Sequence, residues 1–357
     1  MQEMTSLHTE NILTPLEILS LYYSGGDVSS NRKDNLWHQM NLLLSWENII
    51  NNHYQQDLCP LLFYIIIKIL PKTDSQRLDN RMPEKTVPRF ILDKLKKDYV
   101  SNLKRNMILL GELQYLMNEF KNNDIKCITL KGAYLAENVY ENVACRPMAD
   151  IDILVRESDM ERSHRILIHC GFKRIQEKSQ VKALHDNYLK EELREEISVE
   201  LHRRLTNALY CARFEMGEIW EQTYLPLEYN FVYLSWHAVR HSFMKLIWLC
   251  DCAAIIKKYH DSLDWEKIVR KSVLFNARKQ LQLCLHLVST LLIPEIANNP
   301  QLSLNHSLSS VIGETILFNV QKTIAQRRDP DIFTKLLTIH TMEHNTLFKF
   351  ALAYMKQ

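Results

Sequence analysis

Two aspartates one residue apart, embedded in an apolar run, constrain this chain more than any other feature. Asp150 and Asp152 flank Ile151, and the run continues as Ile-Leu-Val over residues 153–155. Because successive side chains of a strand point to opposite faces, the run predicts a buried strand with both carboxylates on one face. Burying two carboxylates side by side is unfavourable unless a cation lies between them. The pattern therefore indicates a divalent metal ion, and with it metal-dependent phosphoryl or nucleotidyl transfer.

The composition is typical of a soluble, largely helical protein. Of the 357 residues, 46% are apolar and 24% charged, which leaves ample core for two or three sub-domains. Seven glycines and ten prolines are few for this length and favour helices over sandwiches and barrels. The net charge of +2 neither demands nor excludes a nucleic-acid partner.

The cysteines and the N-terminus predict a soluble cytoplasmic protein with no membrane segment. The eight cysteines lie mostly in apolar runs and form no C-x-x-C pair, as expected of reduced, buried thiols. Residues 1–10 are polar and lack the cationic start and apolar core of a signal peptide. The most apolar segment, 58–70, is too short to span a bilayer and contains Lys68.

Hydrophobic periodicity divides the chain into three regions. We predict an N-terminal helical region over 1–105, a core of strands and helices over 106–206 and a C-terminal helical domain over 207–357. Thr14-Pro15 followed by Glu17 predicts a capped helix start. Further helices are predicted near 37–50, 61–67, 88–122, 231–260, 265–275, 277–292, 306–322 and 330–357.

Short apolar runs alternate with helical patterns in the core. Strands are predicted at 125–130, 150–155, 172–176, 183–190 and 197–202. Helices are predicted over 133–142 and from a capping box at Ser158 to a left-handed cap at Gly171. The last two strands form a hairpin whose turn contains residues 191–196. This order predicts an α+β fold, in which a small mixed β-sheet with helices on one side is flanked by the two helical regions.

Glu200 and Lys131-Gly132 complete the candidate site. Glu200 alternates with apolar neighbours on its strand, so it projects to one face together with His202; the alternative is an exposed hairpin residue. Three carboxylates on two adjacent strands can hold two Mg²⁺ or Mn²⁺ ions, one activating the attacking hydroxyl and one neutralising the triphosphate. At the strand-to-helix junction, Gly132 lets backbone amides approach phosphate oxygens and Lys131 adds a positive charge.

These segments resemble those of the uncharacterised nucleotidyltransferase family within the DNA polymerase β-like superfamily. The likeness covers roughly residues 100–260. It is carried by Leu130-Lys131-Gly132, by the run from Arg146 to Val155, by Gly171-Phe172 and by the run from Val199 to His202. It implies that Asp150, Asp152 and Glu200 hold the metal ions and that Lys131 and Gly132 contact the triphosphate. One departure is Ala133 in the turn, where the superfamily usually has Gly-Ser or Gly-Gly and a hydroxyl often touches phosphate.

A further likeness to the family lies in the C-terminal region. At 100° per residue, His237, His241, Trp248 and Asp251 form one stripe of a helix, with Lys245 near its edge. Lys245 and Asp251 are candidates to close over the nucleotide. The spacing of the two histidines also occurs in zinc-binding helices, but the glutamate of such proteases is absent. This absence favours a hydrogen-bonded core against the catalytic sheet.

Two residues beside the strand carboxylates each have two interpretations. Arg146 can bind a phosphate or pair with the buried aspartates. His202 can orient a ligand or touch the nucleotide, or it can be a hydrogen-bonded structural histidine. Both are candidate nucleotide-binding residues.

The leading hypothesis is an enzyme that binds an NTP with two divalent ions and transfers the nucleoside monophosphate to an acceptor hydroxyl, releasing pyrophosphate. A small molecule, peptide or protein acceptor is favoured over RNA, because no basic strip studded with aromatic residues is evident. The alternatives are a nucleotide-binding sensor or scaffold without turnover, and a toxin that nucleotidylates RNA or protein. Base preference, acceptor, pathway and oligomeric state are not encoded in any motif of the chain.

Overall fold

The fold was analysed from a computed structural model, which describes residues 13–25, 41, 44–51, 56–69, 87–175, 184–192, 195–205, 216–241, 243, 245–299 and 302. Within these residues a five-stranded mixed sheet is flanked by helices from both ends of the chain. The predicted α+β class is confirmed.

The N-terminal helices begin with the predicted capping box. The hydroxyl of Thr14 accepts a hydrogen bond from the amide of Glu17 at 3.2 Å, and the Glu17 carboxylate accepts one from the Thr14 amide at 2.9 Å. These two bonds satisfy amides that would otherwise lack partners in the first turn. The helices are α1 (Pro15–Ser24), α2 (Trp46–Asn51) and α3 (Cys59–Tyr64), the last continuing as a π-helical segment (Ile65–Ile69). Residues 37–40, also predicted to be helical, lie outside the described part.

A long helix, α4 (Arg89–Asn122), connects this region to the sheet and confirms the helix predicted over 88–122. It is continuous across residues 105 and 106, where the boundary of the core is predicted. Its first half packs with the N-terminal helices, and its second half packs on the sheet through Leu109, Leu116 and Phe120. The division into three domains stays a prediction.

The sheet consists of strands that mostly match the predicted positions. They are β1 (Cys127–Thr129), β2 (Ile151–Val155), β3 (Lys173–Ile175), β4 (His185–Glu192) and β5 (Glu195–His202). Their order is β1-β2-β5-β4-β3, with β2 and β5 parallel and the other pairs antiparallel. Both β4 and β5 extend into the charged segment 191–196, which was predicted to be their turn.

The helices between the strands differ from prediction at their ends. Helix α5 (Lys131–Asn138) ends before residue 142, and a 3₁₀ turn (Val143–Cys145) follows. Helix α6 (Met160–His169) lacks the predicted capping box, because Ser158 lies in a separate 3₁₀ turn and the N-cap Asp159 makes no side-chain capping bond. Gly171 follows α6 with φ of +90°, as predicted.

The C-terminal region contains a break that the sequence pattern did not predict. One helix was predicted over 231–260, but the structure has α7 (Leu227–Arg240) and α8 (Ile247–Tyr259). The backbone at Phe243 has φ of +51°, which no α-helix accommodates, and burial of the Phe243 side chain helps to hold this turn. Helices α9 (Trp265–Leu274) and α10 (Arg278–Leu291) match prediction. The helices predicted over 306–322 and 330–357 lie outside the described residues.

Seven described cysteines are free, and all but Cys127 are buried; Cys211 lies outside the described residues. None of the helices in the described ranges is both long and apolar enough to cross a membrane.

Candidate active site

The register between β2 and β5 brings two of the predicted carboxylates together. Asp152 and Glu200 are directly opposite each other on these parallel strands. Ile151 and Ile153 point to the opposite face, where they pack with α4 and α6. Strand alternation therefore places Asp152 and Glu200 on the face that the C-terminal helices cover.

Lys131 and His202 contact both carboxylates. The Nζ of Lys131 lies 2.6 Å from Oδ1 of Asp152 and 3.4 Å from Oε2 of Glu200. The Nε2 of His202 lies 2.9 Å from the same Asp152 oxygen and 3.2 Å from the same Glu200 oxygen. The side chains of Asp152 and His202 are only 2% and 3% exposed, whereas that of Glu200 is 21% exposed. Asp152 is thus the buried centre of the cluster, and Glu200 is its accessible edge.

The pKa values follow from this arrangement. Burial alone would raise the pKa of Asp152, but Lys131 and His202 hold it well below its ordinary value. Burial alone would lower the pKa of Lys131, but Asp152 raises it well above its ordinary value. Asp150 makes no ion pair with a residue in the described ranges: burial, reinforced by Asp152 and Glu200, raises its pKa to about 7, and Lys131 and His202 offset only part of this rise. Together these values describe ionised Asp152 and Glu200 carboxylates beside a charged Lys131, and an Asp150 carboxyl that takes up a proton near neutral pH.

The backbone at the start of α5 lies close to the side chains of Arg146 and Met148. Lys131 has φ of +41°, a conformation uncommon for a residue other than glycine. At Gly132 an added Cβ would lie 3.1 Å from Cγ of Met148 and 3.6 Å from a guanidinium nitrogen of Arg146. Glycine is therefore the residue that lets this helix N-terminus lie against the loop that leads to Asp150.

Helix α4 holds the loop that carries Asp150. The buried side chain of Asn106 donates hydrogen bonds to the carbonyls of Val143 and Arg146 and accepts one from the amide of Met148. Arg105 donates to the carbonyl of Ala149 at 3.0 Å. These bonds satisfy backbone groups that have no strand partner, so α4 fixes the approach of Asp150 to the sheet.

A cavity of about 470 Å³ opens over these residues. Asp150, Asp152 and Glu200 line one side, and helices α7 and α8 form the other. Other lining residues are Lys131, Gly132, Arg146, His185, His202, Tyr233, Trp236, His237, Arg240, His241, Lys245 and Trp248. A larger, shallower groove of about 640 Å³ lies between α4 and the opposite side of the sheet, away from the carboxylates.

Asp251 lies behind this cavity rather than in its wall. Its carboxylate accepts hydrogen bonds from Nε and an Nη of Arg146, at 2.9 and 2.8 Å, and from the hydroxyl of Tyr140 at 2.8 Å. Arg146 therefore pairs with Asp251. One interpretation of the sequence was that it pairs with the strand aspartates, Asp150 and Asp152, and the structure does not have that pairing. Arg146 and Tyr140 surround the Asp251 carboxylate, so it does not face the cavity, where Asp251 was predicted to contact a nucleotide.

Lys245 and three aromatic residues form the wall opposite the strands. Lys245 pairs with Asp57 at 2.7 Å. The rings of His237, His241 and Trp248 lie 4.6 to 5.3 Å apart, although the helix break removes the single stripe on which they were predicted. Burial lowers the pKa of His241 to about 4 and that of His237 well below its ordinary value. The cluster is therefore a neutral, partly polar wall.

Two cavity residues were missed by the sequence reasoning. His185 lies directly opposite His202 across β4 and β5, and its Nε2 is 3.6 Å from Oε1 of Glu200. The hairpin pairing could have identified it, had the register been known. The guanidinium of Arg240 lies 5.3 Å from the centre of the Trp236 ring and forms no ion pair with any described residue. No motif in the sequence distinguishes this arginine.

The three predicted carboxylates line one cavity. Asp150, Asp152 and Glu200 offer carboxylate oxygens around one cavity, and hard divalent cations bind oxygen ligands of this type. Asp150 forms no hydrogen bond or ion pair with a residue in the described ranges, so its carboxylate is available. Lys131 supplies the one ammonium at the centre of the cluster.

Comparison with known proteins gives one finding. The family model described as "uncharacterised nucleotidyltransferase" matches residues 44–292, more than half of the chain and more than the 100–260 expected from the motifs. No curated protein and no solved structure matches. The matched range contains the whole sheet, the helices that enclose the cavity and every residue of the charged cluster. The chain therefore belongs to the uncharacterised nucleotidyltransferase family.

Proposed function

We propose that the protein is a metal-dependent nucleotidyltransferase that transfers a nucleoside monophosphate from an NTP to an acceptor hydroxyl and releases pyrophosphate. The observation that carries this proposal is the meeting of Lys131, Asp152, Glu200 and His202 at the floor of one cavity, in a chain of a nucleotidyltransferase family. The arrangement agrees with the DNA polymerase β-like pattern of an acidic pair on one strand and a third carboxylate on a neighbouring strand.

The charges in the cavity support an anionic substrate carried with divalent cations. Metal binding would ionise Asp150, so that the three carboxylates bear three negative charges, of which Lys131 offsets one. Arg146 is neutralised by Asp251, so it adds little. One divalent ion balances the remaining charge, and a second makes the site cationic, as a triphosphate requires.

Individual residues are assigned roles by their exposure. Asp150 and Asp152 hold the metal ions, which supply charge neutralisation at the phosphates and activation of the acceptor hydroxyl when bound. Glu200 would complete the ligand set, and either Glu200 or a metal ion would help to deprotonate the acceptor hydroxyl. Lys131 and Gly132, at the N-terminus of α5, receive phosphate oxygens. Arg240, which no described carboxylate neutralises, contributes a cation at the cavity wall.

The acceptor is proposed to be a small molecule or a peptide or protein side chain. The cavity volume of about 470 Å³ is that of a small-molecule site. We expect the reaction to take place in the cytoplasm, where NTPs and free thiols such as those of this chain coexist.

The test is metal-dependent pyrophosphate release. The full chain is incubated with each of the four NTPs, labelled at the α-phosphate, together with Mg²⁺ or Mn²⁺ and either a small-molecule or a protein extract as the acceptor source. We expect pyrophosphate release with at least one NTP, and label transfer to one extract. Asp152→Asn removes a buried metal ligand and is expected to lower the rate at least about a hundredfold.

Asp261→Asn is the matched control, because Asp261 is a fully exposed aspartate at the end of α8 and lies outside the cavity. Release that continues at the wild-type rate in Asp152→Asn contradicts the proposal. Saturable NTP binding without pyrophosphate release in any extract favours the sensor hypothesis instead.

A further inference from the structure

The cavity contains a set of imidazole donors that the carboxylate pattern does not require. His185 and His202 project from neighbouring strands to the same side as Glu200, with ring centres 4.8 Å apart. Their Nε2 atoms lie 3.6 Å from Oε1 and 3.2 Å from Oε2 of that carboxylate, respectively. Two histidines thus face Glu200, one toward each of its oxygens.

The spacing of these donor atoms is that of ligands around one ion. Ligands about 2.1 Å from a metal ion are separated from each other by about 3.0 to 3.4 Å in octahedral or tetrahedral geometry. The carboxylate-to-imidazole distances of 3.2 and 3.6 Å are close to this range. One donor atom from each of the three side chains lies within 4.8 Å of the others.

The polar contacts of the two rings are made by the same ring nitrogen, Nε2, that faces Glu200. Nδ1 of His185 and Nδ1 of His202 are buried and have no hydrogen-bond partner among the residues that the structure describes. All polar contacts found for the two rings are therefore made by Nε2. For His202 these contacts also include Asp152, at 2.9 Å, which links the histidine pair to the predicted carboxylate site.

We infer that His185, Glu200 and His202 form a mixed imidazole–carboxylate metal site that takes a first-row transition-metal ion in preference to Mg²⁺. Mg²⁺ prefers oxygen ligands, whereas imidazole nitrogen suits transition metals. Within the proposed function, this site shares Glu200 with the oxygen-ligated site of Asp150 and Asp152. The inference rests on the proposed function for its catalytic meaning, but metal binding is measurable without turnover.

The test uses Mn²⁺ as the probe and the metal-stripped full chain. Titration with MnCl₂, followed by the electron paramagnetic resonance signal of free Mn²⁺, gives the dissociation constant, and competition with MgCl₂ gives the selectivity. We expect Mn²⁺ to bind more tightly than Mg²⁺; because Mn²⁺ also suits carboxylate oxygen, the contribution of the histidines is measured by nitrogen coupling. Pulsed measurements on bound Mn²⁺ are expected to show ¹⁴N coupling from imidazole.

Two variants and one control make the test specific. His185→Gln and His202→Gln are each expected to weaken Mn²⁺ binding by at least about tenfold. Loss of a residue that only hydrogen-bonds a metal ligand already weakens binding by about this much, and loss of a ligand is expected to weaken it at least as far. Because His202 is buried and its substitution can destabilise the fold, the more accessible His185 is the decisive position. His260→Gln is the control, because His260 is 74% exposed and pairs only with Asp261.

Bound Mn²⁺ without ¹⁴N coupling, or wild-type affinity in folded His185→Gln, would overturn the inference. The two proposals fail separately. Mg²⁺-dependent pyrophosphate release without nitrogen coupling retains the proposed function and removes this site. Nitrogen coupling without pyrophosphate release from any NTP retains this site and removes the proposed function.

Discussion

The buried pair of Arg146 and Asp251 gives the sharpest prediction for the stability of the protein. The side chains are 10% and 1% exposed and meet through three charge-assisted hydrogen bonds of 2.8, 2.9 and 3.2 Å. Asp251 also accepts the hydrogen bond of Tyr140. Replacing Asp251 by Asn leaves the Arg146 guanidinium buried without a counter-charge. Breaking such a pair costs about 3 to 5 kcal/mol.

The assay is urea denaturation of Asp251→Asn and of the wild type, followed by tryptophan fluorescence. A loss of about 3 to 5 kcal/mol moves the midpoint by roughly 1 M urea, for a slope of about 3 to 4 kcal/mol per molar at this chain length. Asp261→Asn, at an exposed aspartate, is expected to change the free energy of unfolding by less than about 0.5 kcal/mol.

A double variant separates the pair from its surroundings. The double variant Arg146→Met with Asp251→Leu removes both charges. It is therefore expected to lose at least about 1 kcal/mol less unfolding free energy than the sum of the losses in Arg146→Met alone and Asp251→Leu alone. A loss of less than about 1 kcal/mol in Asp251→Asn refutes the reasoning, because the carboxylate would then not neutralise Arg146. Additive single effects refute the direct pairing.

Two other stability measurements test the walls of the cavity. Asn106→Leu is expected to lower the free energy of unfolding by about 2 to 4 kcal/mol, because it leaves the carbonyls of Val143 and Arg146 without their buried hydrogen-bond donor. The exposed Asn118→Leu on the same helix is expected to be near neutral. Equal losses in the two variants would contradict the role of Asn106 in holding the loop before Asp150. Burial, and then Arg240 and Lys131, lower the pKa of His241 to about 4, so this histidine stays neutral in the folded protein. Its contribution to the free energy of unfolding is therefore complete above pH 6.5 and is lost as the pH falls toward 4. Between pH 7.5 and pH 5, the wild type is therefore expected to lose about 2 kcal/mol more of its unfolding free energy than His241→Gln, and an identical pH profile for the two would refute the assignment.

Features set by neighbouring residues were predictable from the sequence. The alternation around Asp152 and Glu200, the capping box at Thr14 and the left-handed cap at Gly171 each depend on residues within one turn or strand. The helix break around Phe243 was not predictable in the same way. The apolar periodicity continues through it, and the turn is formed by tertiary burial of a side chain in a conformation that the local sequence does not favour.

The sequence by itself determined that the chain carries three acidic residues on strand patterns, a lysine–glycine turn and the motifs of its family. The tertiary structure decided which side chains meet them. The register of β4 against β5 places His185 beside Glu200. The packing of α8 places the Asp251 side chain against Arg146, outside the cavity. The physical reason is that these contacts join residues distant in the chain. Strand register and helix packing are selected by the burial of the whole core, which no local pattern specifies.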